Sequence, residues 1–339
     1  MQPNRATGLF ARAVCCVLTG LLAPGALRAQ AAREPEPGVA QLRVVAPVTA
    51  ATAMVVTANP LASQAGFEVL RAGGNAVDAA IAAAFALNVV EPQSSGVGGG
   101  GFILVYLARR HQVLAIDGRE EAPAAATPTW FLAPDGKPQP FYPDRITGGR
   151  PVGVPGMVRA LAKASSLGGR LPWSRLLTPG LKLAQQGFAV SPRLATELRQ
   201  EQQRLGLFAA TRAVFFGPDG QTLPAGAWLR QPQLARTLRL LARRGAPAFY
   251  AGALAHAILD AVNKAAVNPG HMLAADLAHY RAVLRQPVQL QFHGDTIFGM
   301  GPPSSGGVGV LQILGLWERA PRPPPAAGAA WIHRFAQAV

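Results

Sequence analysis

Helical spacing of apolar positions predicts two consecutive helices early in the chain. Asn59-Pro60 is a strong helix start, with Asn as the cap and Pro in the first turn. Apolar positions then recur at helical spacing as far as Gly73-Gly74, a pair that favours a helix end. A second helix is predicted for residues 75–88, where small apolar side chains occupy almost every face. A helix that is apolar all round is buried, so we expect this one in the core.

Alternating apolar and polar positions predict strands on both sides of a long helical middle. The apolar spacing between about 150 and 285 is mostly helical, and a further helix is predicted for residues 308–317. Strands mixed with long helices, without regular βαβ alternation, indicate a layered α/β fold. The predicted strands are residues 102–107, 113–116, 288–292 and 296–298.

The N-terminus predicts a secretory signal at residues 1–31, followed by a Pro-rich leader at 32–50. Arg5 and Arg12 precede an apolar run that is too short to span a bilayer. Ala29-Gln30-Ala31 has the small-residue form that a signal peptidase accepts. The alternative is a buried N-terminal helix.

Cysteine content and charge narrow the function classes. Cys15 and Cys16 both lie in the predicted signal, so the mature chain would contain no cysteine for disulfides, thiol catalysis or zinc binding. The formal net charge is +15, but the basic residues are scattered, without long runs or interleaved aromatic residues. We therefore expect a periplasmic or secreted protein with no nucleic-acid partner and no stable membrane insertion after signal removal.

Three groups of residues resemble catalytic or binding motifs without meeting their requirements. The glycine run from Gly98 to Gly101 lacks the Lys-Ser/Thr of a P-loop and precedes a strand, so it predicts a tight backbone passage. The six histidines have no metal-ligand spacing and are predicted to be surface or capping residues. Ser94-Ser95 and Ser304-Ser305 lie outside any G-x-S-x-G elbow and are predicted to form turns.

Arg119 is the most interesting single side chain, because it follows the second predicted strand in the segment Asp117-Gly-Arg-Glu-Glu121. A guanidinium at a strand end can hold a carboxylate through two parallel hydrogen bonds. An ion pair with its own acidic neighbours is the competing interpretation from the residues alone.

Eight short segments then occur in a particular order along the chain. They are Ala72-Gly-Gly-Asn-Ala-Val-Asp-Ala-Ala80, Glu91-Pro-Gln93, Gly98-Gly-Gly-Gly-Phe102, Asp117-x-Arg-Glu-x-Ala-Pro123, Gly153-Val-Pro-Gly156, Phe249-Tyr250, Asp276-Leu277-Ala278-x-Tyr280 and Pro302-Pro-Ser-Ser-Gly-Gly307. In this order and spacing they resemble the large subunit of the gamma-glutamyltransferase (gamma-glutamyltranspeptidase) family. The resemblance covers roughly residues 50–339.

The resemblance implies a fold and a mechanism. The family belongs to the N-terminal nucleophile hydrolases, which are αββα sandwiches, and its proenzyme cuts itself before a threonine. That threonine attacks the gamma-glutamyl amide of glutathione, releases cysteinylglycine, and passes the glutamyl group to water or an amino acid. The chemistry implies neither a metal nor an organic cofactor. Arg119 matches the arginine that holds the substrate's α-carboxylate.

The resemblance also implies that the nucleophile lies beyond Val339, since no Thr-Thr-His-like segment occurs in the 339 residues. Residues 51–339 are therefore expected to be a large-subunit-like domain, truncated at its C-terminus and inactive without a small subunit that carries the threonine. Its last stretch, 329–339, predicts an amphipathic helix whose apolar side lacks a partner. The alternatives are a cephalosporin acylase, a polyglutamate-cleaving enzyme, or a non-catalytic periplasmic remnant or binding protein.

Overall fold

The computed structural model describes residues 46–319 and the single positions 328, 333 and 336. The predicted signal, most of the leader and nearly all of the predicted terminal helix lie outside the described residues. The chain divides into two units after Thr52, and every helix and strand described below belongs to the second unit.

Helices dominate the described residues, and most of the strands are short. The helices are α1 (Pro60–Arg71), α2 (Ala76–Val90), α3 (Met157–Gly168), α4 (Trp173–Gln186), α5 (Pro192–Gln200), α6 (Gln202–Leu205), α7 (Ala209–Phe215), α8 (Pro232–Arg244), α9 (Pro247–Tyr250), α10 (Gly252–Asn263), α11 (Ala274–His279) and α12 (Gly306–Arg319). The strands are β1 (Gly101–Leu107), β2 (Gln112–Gly118), β3 (Phe188–Ala189), β4 (Trp228–Leu229), β5 (Val283–Arg285), β6 (Val288–Phe292) and β7 (Asp295–Gly299).

The two predicted N-terminal helices are confirmed, and so is the predicted cap of the first. Asn59 caps α1 by accepting the N–H of Leu61, and Gly73 beyond its end has a positive φ of 88° that favours glycine. Asn75 and Asp78 form a reciprocal capping box at the start of α2. Helix α2 is buried along almost its whole length, as its apolar composition predicted.

The main described sheet is antiparallel, with the strand order β1-β2-β5. Ile116 of β2 pairs with Ile103 of β1 on one side and with Leu284 of β5 on the other. Because both neighbours pair with its end, β2 extends beyond the predicted 113–116 to Gly118. Asp117 therefore lies within the strand and is buried, which corrects the prediction that it follows the strand end.

A helical layer covers this sheet and contains much of the core. Helix α2 packs against α1 and α4, and the Phe85 ring meets Trp173 edge-on at 5.5 Å between centroids. Helix α3 contacts β1 and β2, which joins the helices to the sheet. The late hairpin is confirmed as β6–β7, and it contacts α12. In the part of the chain that the structure describes, no helix has the length and apolar character needed to cross a membrane.

Candidate functional site

The main chain of Arg119 is fixed on both sides, while its side chain is exposed. Its N–H donates to Oδ1 of Asp117 at 2.9 Å, and its carbonyl accepts the hydroxyl of Tyr280 at 2.7 Å. The guanidinium lies 6.0 Å from the centroid of the Phe102 ring. Among the described residues it forms no ion pair with any carboxylate. The side chain is therefore available to an outside carboxylate.

The competing interpretation, an ion pair between Arg119 and its acidic neighbours, is wrong for Asp117. The buried Asp117 carboxylate instead accepts Nε–H of Arg285 at 2.6 Å. Arg285 arrives from β5, which pairs beside β2, so the sheet register itself brings the two charges together. The Asp117 carboxylate therefore accepts hydrogen bonds from both the Arg285 side chain and the Arg119 backbone.

The glycine run forms the close backbone passage that the sequence predicted. A Cβ atom on Gly100 would lie 2.5 Å from the Gly118 carbonyl oxygen and 2.6 Å from Oε2 of Glu120. The N–H groups of Gly156 and Met157 both donate to the Gly99 carbonyl, at 3.0 and 2.9 Å. The run thus connects β1 to the segment after β2 and to the start of α3, and a side chain at Gly100 would have no space.

Two stacked tyrosines are hydrogen-bonded to the backbone at this junction. The rings of Tyr250 and Tyr280 are 6.0 Å apart and inclined by 7°, and Arg159 lies 4.4 Å over the Tyr250 ring. The Tyr250 hydroxyl donates to the Pro155 carbonyl at 2.9 Å and accepts the Arg159 N–H at 3.2 Å. Both residues occur in matched motifs, but sequence reasoning assigned them no role, since their pairing joins segments 30 positions apart.

The Tyr280 phenol stays protonated and therefore remains a donor. Burial raises its pKa far above the usual tyrosine range, and the charges of Tyr250 and of the carboxylates Glu121, Asp117 and Glu120 raise it further. Burial also raises the pKa of Tyr250, opposed in part by the hydrogen bond from the Arg159 backbone. The bond to the Arg119 carbonyl is thus insensitive to pH over the physiological range.

Replacing Tyr280 by Phe should lower the free energy of unfolding by about 1–2 kcal/mol, because the Arg119 carbonyl then loses a largely buried donor. Urea denaturation measures the loss. Tyr106→Phe is the matched control, since its exposed hydroxyl has only a 3.4 Å contact with Nδ1 of His111. Equal stability of the two variants would contradict the role given to Tyr280.

Two cavities meet at Arg119. The larger, about 840 Å³, also has Trp130, Arg145 and Arg150 in its wall. The smaller, about 290 Å³, includes Tyr280 and Arg285. An exposed guanidinium between two concave surfaces can hold a small carboxylate through paired hydrogen bonds.

The serine pairs and two of the histidines singled out in the sequence contribute to turns of the backbone. The N–H groups of Ser94 and Ser95 donate to the Glu91 carbonyl, and Oγ of Ser304 accepts the N–H of Gly306, so the predicted turn roles are confirmed. Of the histidines, His111 and His293 occupy turns with positive φ.

Comparison with known proteins gives consistent matches. A family model described as gamma-glutamyltranspeptidase matches residues 62–339. A glutathione hydrolase proenzyme of Bacillus subtilis (strain 168) is 43% identical over 261 residues, which are 77% of this chain and 43% of that protein. An acylase ACY 1 proenzyme of Pseudomonas sp. (strain V22) is 38% identical over 276 residues, 80% of this chain and 49% of that protein. The chain thus spans about half the length of the curated relatives it matches.

The fold is shared with a solved enzyme. The crystal structure of Helicobacter pylori gamma-glutamyltranspeptidase is similar with a TM-score of 0.81 and 35% identity, covering 86% of this chain and 82% of that chain. This likeness confirms the predicted layered α/β fold of the N-terminal nucleophile hydrolase type. With the family model matching most of its residues, the chain belongs to the gamma-glutamyltranspeptidase family, as its ordered motifs predicted.

Proposed function

We propose that this chain is the large subunit of a glutathione hydrolase and gamma-glutamyltransferase, and that Arg119 binds the substrate's α-carboxylate. The observation that carries the proposal is the exposed Arg119 guanidinium, which forms no ion pair in the described part of the chain and lies between two cavities. The names of the glutathione hydrolase relatives support the substrate class.

In this mechanism the chain positions the substrate and a threonine outside the 339 residues performs the chemistry. The threonine hydroxyl attacks the gamma-carbonyl carbon, its proton passing to the threonine's own amine. The C–N bond of the tetrahedral intermediate breaks, and cysteinylglycine leaves as a protonated amine. Water or an amino acid then cleaves the acyl-enzyme and releases the glutamyl group. The threonine comes from a small subunit, formed when a proenzyme cuts itself.

The same proposal places the enzyme in the periplasm or outside the cell. Its support is the N-terminal sequence, in which arginines, a short apolar run and an A-x-A-like site occur in that order. Several relatives are named proenzymes, in agreement with a processed product. N-terminal sequencing of the secreted protein tests this, and a first residue at or near Ala32 is expected.

Arg119→Lys should raise the Kd for L-glutamine, the smallest gamma-glutamyl amide, by about tenfold, because a point charge cannot reproduce a bidentate fork. Isothermal titration of the purified protein measures the effect. Arg236→Lys is the control, since Arg236 is exposed on α8 and lies in neither cavity wall. An unchanged Kd in the Arg119 variant would remove the assignment.

A related amidohydrolase is the second candidate, favoured by the similarity to an acylase ACY 1 proenzyme. The two candidates differ in the need for the substrate's α-carboxylate. A 4-aminobutyryl amide is a gamma-glutamyl amide without that group, so an acylase that does not use the carboxylate should act on it equally well with Arg or Lys at position 119. A glutathione hydrolase should prefer the gamma-glutamyl amide and lose this preference in Arg119→Lys.

A further inference from the structure

The larger cavity beside Arg119 has a second basic wall, formed by the loop from Asp144 to Arg150. Asn268 forms four hydrogen bonds with the backbone of this loop. Its carbonyl accepts the N–H groups of Gly149 and Arg150 at 2.9 and 2.7 Å, and its Nδ2 donates to the carbonyls of Asp144 and Thr147 at 2.9 and 3.1 Å. The loop is therefore fixed by hydrogen bonds although it contains little regular secondary structure.

Trp130 fixes the end of the same wall. Its indole N–H donates to the Arg150 carbonyl at 3.0 Å, and its ring meets the His271 ring edge-on at 5.7 Å between centroids. The indole itself lines the cavity. A rigid aromatic surface and a braced backbone thus hold two arginine side chains beside the space next to Arg119.

Neither arginine of this wall has its charge matched. Among the described residues, Arg145 and Arg150 form no ion pair with a carboxylate. Nε of Arg145 is buried without a hydrogen-bond partner, and its guanidinium lies 5.4 Å from the Phe141 ring centroid. Among the described residues, the Arg150 guanidinium has a single long contact, 3.5 Å from Nη1 to the Trp130 carbonyl. Two guanidinium groups that line a cavity without a carboxylate partner among the described residues fit an anionic ligand.

The acidic groups of the cavity do not cancel this charge. Its charged lining is Arg119, Glu120, Glu121, Arg145 and Arg150. The Glu120 carboxylate lies against Gly99 and Gly100 of the glycine run. The Glu121 carboxylate forms no ion pair among the described residues. The wall around Arg145 and Arg150 therefore carries two guanidinium groups and no adjacent carboxylate partner within ion-pair distance in the described chain.

We propose that Arg145 and Arg150 form a subsite for a second carboxylate, the one at the far end of the peptide joined to the gamma-carbonyl. The inference rests on the proposed function, in which Arg119 holds the α-carboxylate at the other end of the ligand. A gamma-glutamyl peptide with a free C-terminal carboxylate would then contact arginines at both ends. Neutral gamma-glutamyl amides would contact only Arg119, so the subsite selects acidic peptides over neutral amides.

The test compares glutathione with its glycyl ethyl ester, which differ by one negative charge at the far end and share the α-carboxylate. Isothermal titration of the purified protein should give about fivefold tighter binding of glutathione, which corresponds to about 1 kcal/mol. The double variant Arg145→Gln, Arg150→Gln should reduce this ratio to about one while leaving the affinity for the ester unchanged. The double variant Arg236→Gln, Arg243→Gln removes two exposed charges from α8, outside both cavity walls, and should keep the fivefold ratio.

The outcomes separate the two proposals. If both ligands bind equally in the natural protein and Arg119→Ala abolishes binding, the second subsite is overturned and the proposed function stands. If neither ligand binds, or binding survives Arg119→Ala, the proposed function fails and the subsite fails with it. If the double variant does not fold, Arg145→Gln and Arg150→Gln are measured singly, and an unchanged ratio in both overturns the subsite.

Discussion

Replacing Asp78 by Ala should destabilise the protein more than any other single carboxylate change, by about 3 kcal/mol in the free energy of unfolding. The fully buried Asp78 carboxylate accepts the N–H of Asn75 at 3.0 Å, closing the capping box of α2. It also accepts the N–H groups of Arg170 and Leu171, at 3.0 to 3.2 Å, from the segment between α3 and α4. The substitution leaves three backbone donors without their charged acceptor, in a place where three helices meet.

Guanidinium chloride denaturation followed by circular dichroism measures this loss. Asp135→Ala is the matched control, because the exposed Asp135 also accepts a backbone N–H, that of Lys137 at 3.0 Å, in a surface turn. We expect the control to lose no more than about 0.5 kcal/mol. Comparable losses in the two variants would mean that the buried carboxylate contributes little to joining the helices.

Gly156→Ala is the second substitution with a large expected effect, a loss of about 3 kcal/mol in the free energy of unfolding. The φ of Gly156, −112°, suits any residue, so the requirement for glycine is one of space alone. A methyl group there would collide with the Gly118 carbonyl and with the Tyr280 hydroxyl. Relief requires moving both the end of β2 and the tyrosine that holds the Arg119 carbonyl, or displacing Gly156 itself.

Gly98→Ala serves as the control, since a Cβ at Gly98 would meet nothing within 4 Å. Gly98 lies in the same glycine-rich junction, and its replacement by Ala should leave stability nearly unchanged. Comparing the thermal denaturation of the two variants therefore separates the effect of crowding from the effect of a Gly→Ala change on the backbone entropy of the unfolded chain. L-glutamine binding should also be weaker in Gly156→Ala than in the natural protein, which is the reference for binding because Gly98 itself lines the larger cavity. A stable Gly156→Ala protein with unaltered binding would refute the crowded junction.

The sequence predicted the parts of the fold that depend on interactions between residues close together in the chain. Asn59 identified the start of α1 because a capping side chain acts on backbone groups two or three positions away, whereas the cap formed by Asn75 was not predicted. The strand β5 was not predicted, because it is only three residues long and exists through pairing with β2, more than 160 positions earlier. Short strands of this kind carry almost no hydropathy pattern of their own.

The candidate site was only partly predictable for the same reason. Arg119 emerged from its motif, but the ion pair between Asp117 and Arg285 depends on sheet register, and the Tyr250–Tyr280 stack depends on packing between separate helical segments. The glycine run was correctly predicted as a close passage, since glycine there indicates missing space whatever the partner is. The identity of the partner, the end of β2, required the structure.

The hydrogen bonds that hold Arg119 involve its backbone, whereas the proposed ligand binding involves its side chain. Asp117 and Tyr280 hold only the amide and carbonyl groups of residue 119, which every amino acid except proline provides in full. The side chain forms no ion pair among the described residues, and its guanidinium lies 6.0 Å from the Phe102 ring centroid. Under the proposed function, exchanging this side chain changes the ligand preference while the hydrogen bonds that hold the backbone are kept.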